Sequence, residues 1–432
     1  MRRLPVNLTP LRHRGFRLLV TGQLASNLGD LFYAVALPWY VLANHGGALL
    51  LGTVLAAYGI PRTALLAVSG HAADRWRPWN VMMVADIVRA VGVAALAIVA
   101  YSGRASAYLL VPIAILLGAG EGLFLPSSFA IVPSLLPDED LQAGNALTSG
   151  GTQLATLVGP ALGGVVVAIV GPASAFAVDA MSFILSVLAL AGVRAVERAT
   201  SGVPSVPVDS EPVLAESVMS DGARIAGAGP PASTLLEMLR SERVLQVILL
   251  VTVAANLGSG GMSDVALPAL VHGPFHGGAA GFGSLIAAFG GGALVGTLVA
   301  GRVSALRRPA FVVSWVFIIQ AGVMALVPFL GGTYGAAVAL VIFGLLNGFA
   351  NVVTITIFQR WAPPAMMGRL MGILMLASFG IFPVSVFVAG LIVAHAGPSI
   401  FFPLAATALG LAVLGGLTQR SWRDFGAAGE LV

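Results

Sequence analysis

Asn27-Leu28-Gly29, followed by Ala36-Leu37-Pro38, returns later in the chain as Asn256-Leu257-Gly258 followed by Ala266-Leu267-Pro268. A second element, Gly118-Ala-Gly-Glu121-Gly122, returns as Gly344-Leu-Leu-Asn347-Gly348. The two repeats lie 229 and 226 residues apart, the differences 256 − 27 and 344 − 118. Matches at nearly one offset mark an internal duplication. Each copy sits in an apolar run long enough to cross a bilayer, which takes about 20 residues.

The rest of the composition agrees. Of 432 residues, 58% are hydrophobic and only 9% charged, with a mean hydropathy of +0.95. A water-soluble domain carries about 25% charged residues. This chain cannot cover itself with polar groups, so its outer surface faces lipid. The 54 glycines suit membrane helices, which use small residues to bring backbones together.

Several chemistries are excluded. There is no cysteine, so disulfides, thiolate metal sites and cysteine nucleophiles are ruled out. All 22 basic residues are arginine, so the lysine-bearing phosphate loop of an ATPase is absent. No nucleophile–base arrangement stands out, and the chain is read as a non-enzyme. The arginines are scattered at helix ends and form no nucleic-acid patch. His272 and His276 flank Gly273-Pro274 and cannot share a helix face, so no metal or other cofactor is expected. The basic N-terminus precedes an apolar run too long for a cleaved signal, and reads as a retained first span.

Spans are expected at about 18–42, 48–70, 80–100, 107–132, 143–170, 173–193, 244–270, 281–301, 310–331, 335–358, 368–394 and 398–418. Nineteen arginines lie at one set of helix ends and Arg104 alone at the other. By the positive-inside rule both termini are then cytoplasmic. Residues 194–243 contain Ser201-Gly-Val-Pro-Ser-Val-Pro207, cannot span, and read as a cytoplasmic linker ending in a short amphipathic helix. The expected organisation is a six-helix bundle over 1–193, the linker, a second bundle over 244–419 and a tail over 420–432. The fold class is thus all-α and polytopic, with twelve transmembrane helices in two pseudo-symmetric bundles. Parallel six-helix halves are an arrangement of secondary transporters.

The chain resembles the major facilitator superfamily over essentially its full length, within it the drug and siderophore exporters of the macrolide-efflux and enterobactin-exporter type. Ser26-Asn-Leu-Gly-Asp30 and Ala36-Leu37-Pro38 are similar to that branch's first helix. Gly70-His-Ala-Ala-Asp74-Arg75 matches the superfamily's Gly-x-x-x-Asp-Arg loop signature, and Ala85-Asp86-Ile-Val-Arg89-Ala90 follows it. Gly159-Pro160-Ala-Leu-Gly163-Gly164 resembles the helix-five signature of antiporters. The second half echoes the family more faintly, at Gly296-Thr-Leu-Val-Ala-Gly301-Arg302 and Gly368-Arg369. Two departures stand out: Trp76-Arg77-Pro78-Trp79-Asn80 replaces the loop's usual basic run, and the arginine common in the fourth helix of proton-coupled antiporters is missing. The resemblance implies efflux by alternating access, a proton gradient as energy source, and a multidrug-resistance role in a bacterial plasma membrane.

Ionisable side chains inside a bilayer are costly, so each is a functional candidate. Asp30, Arg62 and Glu121 are expected at similar depth, Asp30 roughly 20 Å from the cytoplasmic face. They are candidates for proton coupling, with a structural ion cluster as the plainer reading. Asn27, Asn256, Asn347 and Asn351, with Phe124, Gln320, Phe379 and Phe382, are candidates for the central cavity, although such amides also simply bond helices together. Gly70, Asp74, Arg75, Asp86 and Arg89 are expected to form a cytoplasmic gate, Asp86 and Arg89 pairing three residues apart. The small faces Gly159-x-x-x-Gly163 and Gly292-x-x-x-Gly296 are expected between the halves.

The reading that follows is a proton-coupled exporter of a small amphipathic or lipophilic organic compound, working as a monomer. Its partners are that small molecule and the lipid bilayer. A metabolite facilitator or importer, a lipid flippase, and a non-transporting receptor or scaffold are the alternatives.

Overall fold

The computed structural model describes residues 8–75, 78–201, 239–302, 308–362, 366–423 and 425, with side chains at all of these but 67–75, 197–201 and 368. The first-half helices are α1 (Arg14–Ala43), α2 (Gly47–Arg75), α3 (Pro78–Tyr101), α4 (Ala107–Ala130), α5 (Asp138–Val170) and α6 (Pro172–Ser201). Those of the second half are α7 (Arg243–His272), α8 (Gly278–Arg302), α9 (Pro309–Leu326), α10 (Thr333–Trp361), α11 (Met367–Phe379 and Phe382–Ala396) and α12 (Pro398–Thr418). No strand occurs among the described residues. Among the described residues, eleven helices are long and apolar enough to cross a membrane. α1, with Asn27 and Asp30 in its middle, is the long helix outside that set.

Helix ends differ from expectation where hydropathy and helicity part company. α5 begins at Asp138 and not near 143, with Asp138, Glu139 and Asp140 in its first turn, where acids favour the helix dipole. α6 runs on to Ser201, beyond the expected 193, because Arg194-Ala-Val-Glu-Arg-Ala continues a helix after the apolar run stops. The rest of the linker, 202–238, lies outside the described residues, as does most of its expected amphipathic helix.

The duplication is visible in the packing. In the first half α1 packs on α5 and α6, α2 on α4, and α3 on α4 and α6. In the second α7 packs on α11 and α12, α8 on α10, and α9 on α10 and α12. The turns repeat as well. His45 and His276 are the described non-glycine residues with positive φ, at 59° and 48°. Gly171 and Gly397, each before a proline, share φ near 84°, at 83° and 85°. These left-handed turns favour glycine. The repeat also explains a defect in α7. Asn27 maps on Asn256 at an offset of 229, but Ala36 maps on Ala266 at 230, so α7 holds one extra residue between them. A single turn of π-helix at Met262–Ala266 absorbs it, as single-residue insertions in helices generally do.

The halves meet along α2–α11 and α5–α8. A Cβ on Gly52 would strike the carbonyl of Val386 at 2.5 Å and the Gly390 Cα at 3.0 Å. Its counterpart Gly283 faces the Pro160 carbonyl and the Gly164 Cα, the latter at 2.9 Å. One step deeper, Gly59 abuts Phe382 and Pro383, and Gly290 abuts Thr156 and Leu157. Trp39 packs edge-on to His272, with ring centroids 5.2 Å apart, near the α1–α2 turn. The crossings therefore cluster toward one end of the molecule, that of the α1–α2 and α7–α8 turns. Of the expected small faces, Gly159 and Gly163 pack on Leu31 and Phe32 of α1, and Gly292 and Gly296 on Val341 and Leu345 of α10. Both lie within a half; Pro160 and Gly164 make the contact between halves. The spacing of the glycines is right, but only the packed structure reveals which helix each one faces.

A side chain at Gly283 has backbone on its far side and nowhere to go. Gly283→Val should lower the stability of this closed end by about 1–3 kcal/mol, read as a lower melting temperature of the purified protein. Gly410→Ala, which meets nothing within 4 Å, should be neutral or slightly stabilising.

Candidate functional site

A cavity of about 790 Å³ lies in the first half, at the end away from the glycine crossings. α1 supplies Gln23, Asn27 and Asp30; α3 supplies Arg89; α4 supplies Glu121, Phe124, Leu125, Ser128 and Phe129; α5 supplies Asn145, Thr148, Ser149, Thr152 and Gln153. Its wall mixes amides, hydroxyls and aromatic rings with two acids and one base. The Asn27 amide donates to Thr152 Oγ1 at 3.2 Å, tying α1 to α5.

Asp30 meets Arg89, not Arg62. Arg89 Nη2 donates to Asp30 Oδ1 at 2.5 Å, and Nη1 lies 3.8 Å from Asp86 Oδ1. The guanidinium stacks 4.2 Å from the centroid of Phe183 and 5.6 Å from that of Phe124. Asp86 is fully buried, and Ser186 Oγ donates to its Oδ2 at 2.6 Å. Asp86 and Arg89 do pair as expected, but inside the bundle, and not at a cytoplasmic gate. α3 packs on α4 and α6 along its length, and that packing draws both residues inward. The side chains of Gly70, Asp74 and Arg75 lie outside the described residues.

Arg62 and Glu121 form a second pair, with Nη2 and Oε1 3.1 Å apart. Arg62 sits between the rings of Tyr58, at 6.0 Å, and Phe379 of the second half, at 5.5 Å. The Thr63 hydroxyl donates to the Phe379 carbonyl at 3.5 Å. Asp264, held in the π turn of α7, interacts electrostatically with Arg62. Arg62 thus touches both halves.

Of the expected cavity residues, Asn27 and Phe124 line it. Phe379 and Phe382 stand at the α2–α11 crossing. Gln320 is buried within the second bundle, Asn256 donates to the Thr252 carbonyl of its own helix at 2.9 Å, and Asn347 and Asn351 lie along α10. None of these six borders the cavity. At the position of Arg62 the second half has Ala293, and at that of Glu121 it has Asn347: Gly122 abuts Arg62 as Gly348 abuts Ala293. The ion pairs have no equivalent there.

One ionised-type group is inconspicuous in the sequence. Asp179 on α6 is fully buried and shares a face with Ser182, Phe183 and Ser186 at helical spacing. That acid–Ser–aromatic–Ser stripe is the signal, and it acquires meaning only once α6 is seen packed on α1 and α3. Trp79, from the segment that replaces the usual basic run, is also buried, with Arg194 stacked 4.8 Å from its ring centroid.

Comparison with known proteins agrees with this architecture. Residues 6–423 match the model of the "Transmembrane secretion effector" family of the major facilitators. The chain belongs to that family. The multidrug efflux pump Tap of Mycobacterium tuberculosis is 29% identical over 405 residues, covering 92% of this chain and 90% of the relative. The enterobactin exporter EntS of Citrobacter koseri is 26% identical over 385 residues, covering 85% and 83%. Among solved structures, a peptide transporter POT in complex with sulfate superposes with a TM-score of 0.69 at 15% identity, covering 96% of each chain. A bacterial homologue of the iron transporter ferroportin in an inward-facing state gives 0.67 at 16%, covering 95% of this chain and 99% of that one. At that identity the likeness is one of fold. The chain is a multi-pass membrane transport protein, similar to a drug and a siderophore exporter, and not an enzyme.

Removing one partner of a buried ion pair strands the other. Arg89→Ala leaves Asp30 and Asp86 without their cation and should cost about 3–5 kcal/mol, measured as a loss of thermal stability in detergent. Adding Asp86→Asn should recover part of that loss.

Proposed function

We propose that this protein exports a small amphipathic or lipophilic organic compound in exchange for protons, by alternating access across a bacterial plasma membrane. The 790 Å³ cavity carries the reading. It falls within the size range of small-molecule sites, about 300–1,000 Å³, and its wall offers aromatic faces beside amides and hydroxyls. The arginine excess in the sequence at its end of the molecule supports a cytoplasmic placement of that end, in keeping with the reading of twelve spans and both termini on that side. A cytoplasm-facing cavity sealed at the far end by glycine crossings is a loading state. The names of the two relatives, a multidrug efflux pump and an enterobactin exporter, support outward transport of such compounds.

Asp30 and Glu121 border the cavity, each held by an arginine, Arg89 or Arg62. A cationic or hydrogen-bonding substrate entering there competes for these carboxylates, and after its release a proton takes its place on them. This is the exchange that antiport needs: one site, two ligands, never both. One copy holds the cavity and both ion pairs, which supports a monomer as the working unit.

Proteoliposomes loaded with a pH-sensitive dye test this against a panel of amphipathic cations, macrolides and catecholate siderophores. At least one compound should drive proton movement opposite to its own. Asp30→Asn and Glu121→Gln should each reduce coupled flux by about tenfold or more, the scale of a lost charge-assisted contact of about 1.5–3 kcal/mol. Full proton-driven transport in both variants would remove these residues from the coupling step. Compound uptake without proton flux would make the protein a facilitator.

A further inference from the structure

Asp179 is the one fully buried carboxylate among the described residues that no described cation holds at ion-pair distance. Its Oδ2 has no hydrogen-bond partner among the described residues. Ser182 Oγ donates mainly to the Asp179 carbonyl at 2.7 Å, with Oδ1 at 3.4 Å. α1 passes directly over it: a Cβ on Gly29 would meet Asp179 Oδ1. An ionised carboxylate so placed would be far more costly than a neutral one.

Asp179 borders a small chamber of about 20 Å³, walled also by Asp30, Tyr33, Tyr58, Arg89, Val93, Leu117 and Phe183. That is room for about one water molecule, which needs roughly 10–15 Å³ and two or more polar partners. The chamber and the main cavity share Asp30 and Arg89. The 2.5 Å pair between those two residues is therefore the partition between Asp179 and the cavity. The charged and titratable groups that border the chamber with Asp179 are Asp30 and Tyr33 from α1, Tyr58 from α2 and Arg89 from α3, with Asp86 beside Arg89 and Glu121 acting electrostatically on Tyr33.

We propose that Asp179 is a second proton-binding carboxyl, which trades its proton with Asp30 through this chamber while Arg89 changes partner. The inference rests on the proton-coupled reading above and names a further residue for it. The step balances. The proton leaves Asp179 Oδ2, crosses by way of a bridging water and arrives on the Asp30 carboxylate. Asp179 becomes the anion and accepts the Arg89 guanidinium as Asp30, now neutral, lets it go. Two carboxyls, one proton and one arginine are present before and after, so the buried charge does not change. Asp30 then faces the cavity as a neutral acid, able to yield its proton there. Asp179 acts as a reservoir that supplies Asp30 with a proton while the cavity empties and fills.

Infrared spectroscopy of the purified full-length protein reads the proton directly, with no transported compound. The wild type should show a protonated-carboxyl stretch at neutral pH, sensitive to exchange into heavy water, and Asp179→Asn should lose it. Asp179→Glu, which keeps the acid, should retain a shifted band, so an unfolded Asn variant does not end the test. Asp30→Asn frees Arg89 for Asp179 and should weaken or remove the band at neutral pH. A wild type with no protonated carboxyl at neutral pH overturns the proposal, as does an Asp179→Asn or Asp179→Glu spectrum identical to wild type in this region. Because no transport is measured, failure here is distinct from failure of the export reading.

Discussion

The structure depends on two symmetry-related places where backbone meets backbone, Gly52 on Gly390 and Gly164 on Gly283. In lipid there is no hydrophobic force to press helices together, so close approach must come from small residues and dispersion contacts. A Cβ at any of these positions would hold the halves apart at the end they now close. Because these contacts are concentrated at one end, the cavity lies at the other. At their tightest points the crossings are glycine against backbone, a surface on which two bundles can rock.

What the halves share in frame they do not share in charge. The first bundle gathers Asp30, at the cavity wall, with the buried Asp86, Arg89 and Asp179, and pairs Arg62 with Glu121 close by. The second places Ala293 and Asn347 where the first has Arg62 and Glu121. Its ionisable contribution is Asp264, in a π turn created by a one-residue insertion and directed electrostatically at Arg62. One bundle thus holds the titratable groups, and the other supplies Phe379 and Asp264 to the residue that touches both. A movement between bundles necessarily changes the surroundings of Arg62, and through Glu121 those of the cavity.

Much of this was legible in the sequence. The repeated Asn-Leu-Gly and Gly-x-x-(Glu/Asn)-Gly elements give the duplication, and the cost of burying charge singles out Asp30, Arg62 and Glu121. Their pairing was not legible, because depth along a helix says nothing about rotation around it. Arg89 lies close in sequence to the Asp74-Arg75 loop signature, yet three turns of α3 carry it to Asp30. For the same reason the sequence does not tell that Gln320, Asn256 and Asn347 fail to border the cavity: helices apolar on every side carry no mark of the face that looks inward. Asp179, seven residues after the Gly171-Pro172 turn, reads as an end-of-helix acid until α1 is laid across it.

The central claim is that first-half carboxylates set which end of the molecule is open, by rocking about the glycine crossings. The cysteine-free chain permits spin labels at chosen sites. Distances between labels at Leu49→Cys and His395→Cys report the closed end, and those at Phe129→Cys and Gln359→Cys the open end. Between alkaline and acid pH one distance should lengthen as the other shortens, and Asp30→Asn should abolish that response. Two distances that ignore pH, or that move in the same sense, would contradict the account.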